Sequence, residues 1–300
     1  MKVLFFGTPE YATQILKSLL QDSAISVVGL VCMPDRPVGR KQILTPPNTK
    51  QYLIDNDIDI PLYQPKSLKE YKELNNIKVD FIVVAAYGNI LPLHILNIAP
   101  CINLHASILP THRGASPIQS SILNNETFTG VTSMLMNEGL DTGDILAFSF
   151  IDSKNKKSNE LFDELGSVAS NLTIKTLKNF YQIKPLSQFD FKSNHCKKIS
   201  KKDALVDFSD ALTLSLKYRA FYPWPGINLE NGLKLKKLTL KENTSINKQG
   251  EILGINKSSI LVGCQTGSIE IQSVAAPSKK EVDSLSYIRG KRLNLGDTLC

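Results

Sequence analysis

Lys2-Val-Leu-Phe-Phe-Gly7-Thr-Pro9-Glu-Tyr-Ala12-Thr-Gln-Ile-Leu-Lys-Ser-Leu-Leu20, followed shortly by Val27-Val-Gly-Leu-Val-Cys32, reads as strand, helix, strand. Short continuous apolar runs separated by a stretch of helical period mark buried parallel strands joined by a crossover helix. The pattern continues outward with apolar runs at 81–86, 101–104, 131–136 and 145–151, and 158–181 sets Leu161, Leu165, Val168, Leu172 and Phe180 at helical spacing. Residues 1–184 are therefore expected to form an α/β, Rossmann-like domain, a mostly parallel sheet with helices on both faces. The first strand exits through Phe6-Gly7-Thr8-Pro9-Glu10, which lacks the three-glycine spacing of a dinucleotide site, so a nicotinamide-dependent dehydrogenase is disfavoured. Gly7 permits a tight strand-to-helix turn, and Pro9 suits a helix start.

Beyond Lys184 the character changes. Residues 185–203 are polar, mixed and without a clean period, as in a linker. Residues 204–300 begin with a helical stretch at 206–221 that Pro223-Trp224-Pro225-Gly226 stops. Short alternating runs follow at 252–255, 260–264 and 269–274, broken by turn residues. Strands at this spacing suggest a small C-terminal OB-like β-barrel. Trp224, between two prolines, reads as a packed anchor between domains rather than a base-stacking ring.

The 300 residues, 42% hydrophobic and 21% charged, suffice for one large or two ordinary domains. No apolar run approaches the roughly 18 residues of a spanning helix, and the opening segment carries no basic leader, so a cytoplasmic protein is expected. The cysteines, at 32, 101, 196, 264 and 300, never fall as CxxC, and the 4 histidines are scattered, so neither a disulfide framework nor a metal site is expected. Lys and Arg number 17 against 17 Asp and Glu through residue 184, and 18 against 11 beyond it, which places the whole net charge of +7 in the last third. A polyanion partner met by that part, or a lysine-rich solvated surface, would account for it; charge alone leaves both open.

The chemistry concentrates in Cys101-Ile-Asn103-Leu-His105-Ala-Ser107-Ile-Leu-Pro110-Thr-His112-Arg113-Gly114 and Gly139-Leu-Asp141-Thr-Gly143-Asp144. Asn103 and His105 alternate on a strand, so they face the same side, at a carboxyl end where α/β sheets hold ligands. In transfer of an acyl group to an amine, an amide can donate to the oxygen that gains charge and an imidazole can carry the proton. A carboxylate would orient the imidazole, and Gly139 and Gly143 give Asp141 a loop able to approach closely. Each part also has a structural reading: Asn as a turn residue, His as a satisfied buried ring, Asp as a cap. His112 reads as incidental, and Arg113 as lying by the site or opening a helix near Pro117.

These strings, with Arg113-Gly114-Ala-Ser-Pro117-Ile-Gln119, the opening Phe6–Glu10 stretch, Pro34-Asp35-Arg36-Pro37-Val-Gly39-Arg40 and Tyr222-Pro-Trp224-Pro225-Gly226, resemble the folate-dependent formyltransferases over nearly the whole chain. Ala106 and Lys41 depart from the pattern, at positions where glycine is frequent. The resemblance implies transfer of a formyl group from 10-formyltetrahydrofolate to the α-amino group of methionyl initiator tRNA, without a metal. It implies that Asn103 binds the formyl oxygen, His105 donates and carries the proton, and Asp141 tunes His105. Ser107, Ile108, Leu109 and Pro110 would form the folate-contacting turn.

Residues 33–50 hold Arg36, Arg40, Lys41 and Lys50 among prolines and Gly39, and read as a long mobile loop rich in phosphate-seeking charge. By the same resemblance it would meet the acceptor stem of the tRNA through Arg36, Arg40 and Lys41. Lys197, Lys198, Lys201, Lys202, Lys234, Lys236 and Lys237 could track the RNA backbone without sequence choice. A monomer is expected. The rival within the enzyme class is a formyltransferase acting on an amino sugar nucleotide, against which the basic loop argues. In another class stands an RNA-binding protein without catalysis, against which the complete polar trio argues.

Overall fold

A computed structural model describes residues 1–39 and 41–299. It divides into two compact units: Met1–Pro117 with Phe128–Asp152 and Phe162–Lys197, and Ile118–Thr127 with Ser153–Leu161 and the chain from Lys198 onward.

In the first unit the strands are β1 (Lys2–Gly7), β2 (Ser26–Val31), β3 (Arg36–Val38), β4 (Ile43–Thr45), β5 (Leu62–Tyr63), β6 (Phe81–Ala85), β7 (Cys101–His105), β8 (Arg113–Gly114), β9 (Phe128–Leu135), β10 (Ile145–Asp152) and β11 (His195–Cys196). Seven of them form the central sheet in the order β10-β9-β7-β6-β1-β2-β5. The pairings from β5 through β7 are parallel, and β9 and β10 add antiparallel. Val3, Leu4, Phe5 and Phe6 are all 0% exposed, so both sides of β1 are covered, as the continuous apolar run requires. At about 1.5–3 kcal/mol per large apolar side chain, this strand and its neighbour β6 anchor the sheet.

Helices α1 (Glu10–Gln21), α2 (Asn48–Asp55), α3 (Leu93–Leu96), α4 (Pro117–Leu123) and α5 (Ser158–Asn179) follow in chain order. α1 buries Tyr11, Ala12, Ile15, Leu16 and Leu19. A Cβ on Gly7 would stand 2.6 Å from Ala12 Cβ and 2.7 Å from the Phe5 ring, so glycine here serves close strand–helix packing.

Residues 33–50 are not one long loop. Arg36 pairs with Thr45, Pro37 with Leu44 and Val38 with Ile43 in a β3–β4 hairpin, and α2 starts at Asn48. The turn uses left-handed backbone at Gly39 (φ +72°) and Gln42 (φ +50°), which glycine adopts freely. Lys50, read as a phosphate-seeking charge, instead bonds both oxygens of Asp35 at 2.9 and 2.8 Å and Gln64 Oε1 at 3.0 Å.

The second unit takes in most of α4 and the first residues of α5, and its body is a small antiparallel sheet. Helix α6 (Ala211–Ala220) precedes β12 (Ile227–Asn228), β13 (Lys234–Ile246), β14 (Ile252–Ile255), β15 (Ile260–Gly263), β16 (Thr266–Ala275) and β17 (Val282–Asp283), with α7 (Ser284–Lys291) last. The order is β12-β13-β16-β15-β14, with β17 on β16. α6 is shorter than the helical pattern of 206–221 because the Asp210 carboxylate caps it, accepting from Thr213 N at 2.6 Å. The preceding Phe208 and Ser209 carbonyls accept from Gln265 N and Thr266 N. Trp224 is 56% exposed, so the packed anchor read from its flanking prolines is not what the structure shows.

Among the described residues no group of His, Cys, Asp and Glu is placed to hold a metal, and no helix is long and apolar enough to cross a membrane. Cys32, Cys101 and Cys264 are free thiols. Burial pushes Cys101 and Cys264 up to about 12 and Cys32 to about 11, which keeps them as inert thiols.

Candidate active site

β7 is the last strand of the parallel run, with β6 on one side and the antiparallel β9 on the other. Tyr11 fixes its end: the phenol is buried, donates to the Leu104 carbonyl at 3.0 Å, and is held neutral because desolvation raises its pKa strongly. Asn103 and His105, on alternate positions, project to one side of β7, and both reach Asp141.

Asn103 Nδ2 lies 3.3 Å from Asp141 Oδ1, and His105 Nδ1 lies 3.7 Å from Asp141 Oδ2. The His105 and Asp141 side chains are only 7% and 11% exposed, so little solvent screens this contact. Gly114 N donates to Asp141 Oδ2 at 2.8 Å. The carboxylate thus joins an amide, an imidazole and a backbone N–H.

His105 Nε2 lies 2.9 Å from the His112 carbonyl oxygen. A carbonyl only accepts, so Nε2 carries a hydrogen, and Nδ1 is left facing Asp141. His112, read as incidental, is therefore part of the site through its backbone. It sits at φ +58° and its N–H donates to Asn194 Oδ1.

Asp141 is itself in the left-handed region, at φ +54°. Its loop closes tightly: a Cβ on Gly143 would meet Leu135 O at 1.7 Å, so the sequence must carry glycine there. Asn137 Oδ1 accepts from Gly139 N at 3.0 Å and from Thr142 Oγ1 at 2.8 Å.

Residues missed by the sequence reading lie in the stretch taken as a polar linker. Gln188 Nε2 donates to Asp141 O at 3.0 Å and to Gly143 O at 2.7 Å, and its Oε1 accepts from Arg113 Nη2 at 2.8 Å. Arg113, 3% exposed, also meets Asp190 at 3.0 Å, so it lies by the site and does not open a helix. β11 pairs with β8 in parallel, His195 against Arg113 and Cys196 against Gly114. These partners have no periodicity, and each acts singly on a loop, which is why only the fold reveals them.

The turn after β7 divides by exposure. Ser107 and Leu109 are 0% and 2% exposed, with Ser107 Oγ bonded to Thr111 O at 2.7 Å and Leu109 packed with Met134 and Ile145. The Thr132 hydroxyl donates to Ser107 O at 2.6 Å and accepts from Leu109 N at 3.0 Å. Ile108 and Pro110 remain half-buried. Arg36 and Lys41 are exposed on the hairpin, far in sequence from the trio, and Arg40 lies outside the described residues.

Profiles of the formyl transferase family match residues 1–174, and those of its C-terminal domain match residues 198–292. The chain belongs to the formyl transferase family. It is 53% identical to the methionyl-tRNA formyltransferase of a Nitratiruptor species over 99% of both chains. It is 54% identical to that of Sulfurimonas denitrificans over 100% of each. Among solved structures, an N-formyltransferase from Helicobacter canadensis, in complex with folinic acid and dTDP-3-aminofucose, shares the fold at TM-score 0.70 and 17% identity, covering 91% of this chain and 99% of that one. HypX from Aquifex aeolicus, in complex with tetrahydrofolic acid, matches at TM-score 0.64 and 17% identity. That match covers 98% of this chain, which spans 48% of the HypX chain.

Proposed function

We propose that this chain transfers the formyl group of 10-formyltetrahydrofolate to the free α-amino group of methionyl initiator tRNA, in translation initiation in the cytoplasm. Membership of the family and about 50% identity to methionyl-tRNA formyltransferases along the whole chain support the reaction. The observation that carries the catalytic assignment is the Asp141 carboxylate, which reaches both the Asn103 amide and the His105 imidazole.

The folate supplies a formyl group on a nitrogen that can leave. Asn103, held at one amide hydrogen by Asp141, has its second amide hydrogen for the formyl oxygen as that oxygen gains charge. His105, with Nε2–H committed to the His112 carbonyl, uses Nδ1 to take the proton lost by the attacking amine and pass it towards the leaving nitrogen. Asp141 stabilises the imidazole while it is charged. Ile108 and Pro110 are the turn residues open to a flat ring, and Ser107 and Leu109 shape the turn from within.

Residues 1–184 constitute the catalytic domain on this reading, and 204–300 a tRNA-binding domain whose positive charge attracts the phosphate backbone. Arg36, Arg40 and Lys41 would meet the acceptor stem. All three catalytic residues come from one chain, so a monomer suffices. The test is formyl incorporation from 10-formyltetrahydrofolate into methionyl initiator tRNA, methionyl elongator tRNA and a nucleotide-linked amino sugar. Preference for the initiator tRNA is expected; transfer to the sugar alone would overturn the assignment.

A further inference from the structure

The stretch Gln188-Phe189-Asp190-Phe191 alternates between anchors and exposed rings. Gln188 holds the Asp141 and Gly143 carbonyls, and Asp190 holds Arg113. Between and after these anchors, Phe189 and Phe191 are 61% and 81% exposed, with ring centroids 6.0 Å apart and planes inclined by 52°. Rings this exposed bury little in the folded chain, so packing does not explain them, and contiguous exposed apolar surface marks a binding face.

A cation stands beside the rings: Lys192 Nζ is 5.7 Å from the Phe191 centroid, and the exposed carboxylate between the two rings, Asp190, is paired with Arg113 at 3.0 Å. Exposed aromatic rings beside a lysine suit single-stranded nucleic acid, whose bases stack on the rings while its phosphates meet the cation. The anchors tie the rings to the site: Phe189 follows directly on Gln188, whose side chain is bonded to the backbone carbonyl of Asp141.

We propose that Phe189 and Phe191 form a stacking surface for the unpaired 3′-terminal nucleotides of the acceptor tRNA, a reading that rests on the tRNA substrate named above. Stacking there would deliver the terminal, methionine-bearing ribose to Asn103 and His105.

The test uses the full chain and uncharged initiator tRNA with 2-aminopurine as its 3′-terminal base, whose fluorescence is quenched on stacking. Wild type is expected to quench it, and the double variant Phe189→Ala/Phe191→Ala to lose the quenching and raise the KM for methionyl initiator tRNA about tenfold. The KM for 10-formyltetrahydrofolate should stay unchanged, and Phe189→Trp/Phe191→Trp should restore both tRNA readouts. Equal quenching and KM in the double alanine variant would overturn the surface, as would failure of the tryptophan pair to rescue, which would assign the rings a structural or protein-contact role. Quenching does not depend on turnover. A wild-type protein that stacks the labelled end through these rings but transfers no formyl group therefore supports the surface and overturns the proposed reaction.

Discussion

The Nε2 nitrogen of His105 and the carbonyl oxygen of His112 are 2.9 Å apart, and the carbonyl is aimed by a left-handed backbone, φ +58°, at His112. Asparagine tolerates that conformation, whereas a β-branched residue strains it by roughly 1–2 kcal/mol. His112→Val should escape the strain by swinging the carbonyl away, which frees the His105 ring to turn. We expect kcat to fall about tenfold or more with little change in the KM for folate, while His112→Asn stays within a few-fold of wild type. Steady-state kinetics on both variants checks this; equal rates would remove the carbonyl from the orientation of His105.

Asn103 is assigned to the oxyanion. Loss of one such donor costs about 10²–10³ in kcat, so Asn103→Ala should lie in that range. Asn103→Asp should be worse, because it replaces a donor with a second carboxylate where Nδ2 lies 3.3 Å from Asp141. Single-turnover rates with saturating tRNA separate this from binding. An aspartate variant faster than the alanine variant would show that Asn103 does not act as a donor.

Gly143 and Gly39 provide a contrast in backbone physics. A Cβ at Gly143 would stand 1.7 Å from Leu135 O, a backbone atom that cannot move cheaply, and the loop concerned carries Asp141. At Gly39 nothing lies within 4 Å, and only the positive φ of +72° resists a side chain. Gly143→Ala is therefore expected to abolish transfer and to destabilise by several kcal/mol, near the upper range of point substitutions. Gly39→Ala should cost about 1 kcal/mol. Chemical denaturation and activity of the two variants decide the matter, and comparable losses would contradict the crowding at Gly143.

The parallel core was legible because continuous apolar runs such as Val3–Phe6 report burial on both faces. Strand alternation made it legible that Asn103 and His105 share a face, whereas Asp141 was joined to them by the family resemblance of the strings that carry all three. The sequence concealed what depends on single tertiary contacts. Gln188, Asn194 and the His112 carbonyl act through individual hydrogen bonds, and no spacing announces those. β13 was missed because Lys234–Ile246 mixes lysines with two buried leucines, Leu235 and Leu238, a pattern that a half-exposed strand shares with a polar loop. The hairpin in residues 33–50 was hidden by its prolines, which a strand accepts at an unpaired edge.

That hairpin is closed at its neck by Asp35 and Lys50, which bracket β3 and β4, and Gln64 Nε2 ties the pair to Met33 O at 2.9 Å. The Lys50 ammonium first, and the Gln64 amide second, hold the Asp35 carboxyl below its ordinary range. A carboxylate whose folded pKa is depressed contributes stability above its unfolded pKa of about 3.9, and the contribution is lost as pH falls through the lower, folded value. Asp35→Asn should thus melt below wild type by a constant margin from about pH 7 to about pH 5, and the margin should shrink as pH falls below about 4. Near neutral pH the same variant should be cut faster by trypsin after the exposed Lys41 and should lose efficiency chiefly with tRNA, since the cations are no longer held in one place. Unfolding curves across this pH range, with proteolysis rates, test the latch. A melting gap independent of pH would show that the Asp35 charge contributes nothing to holding the hairpin.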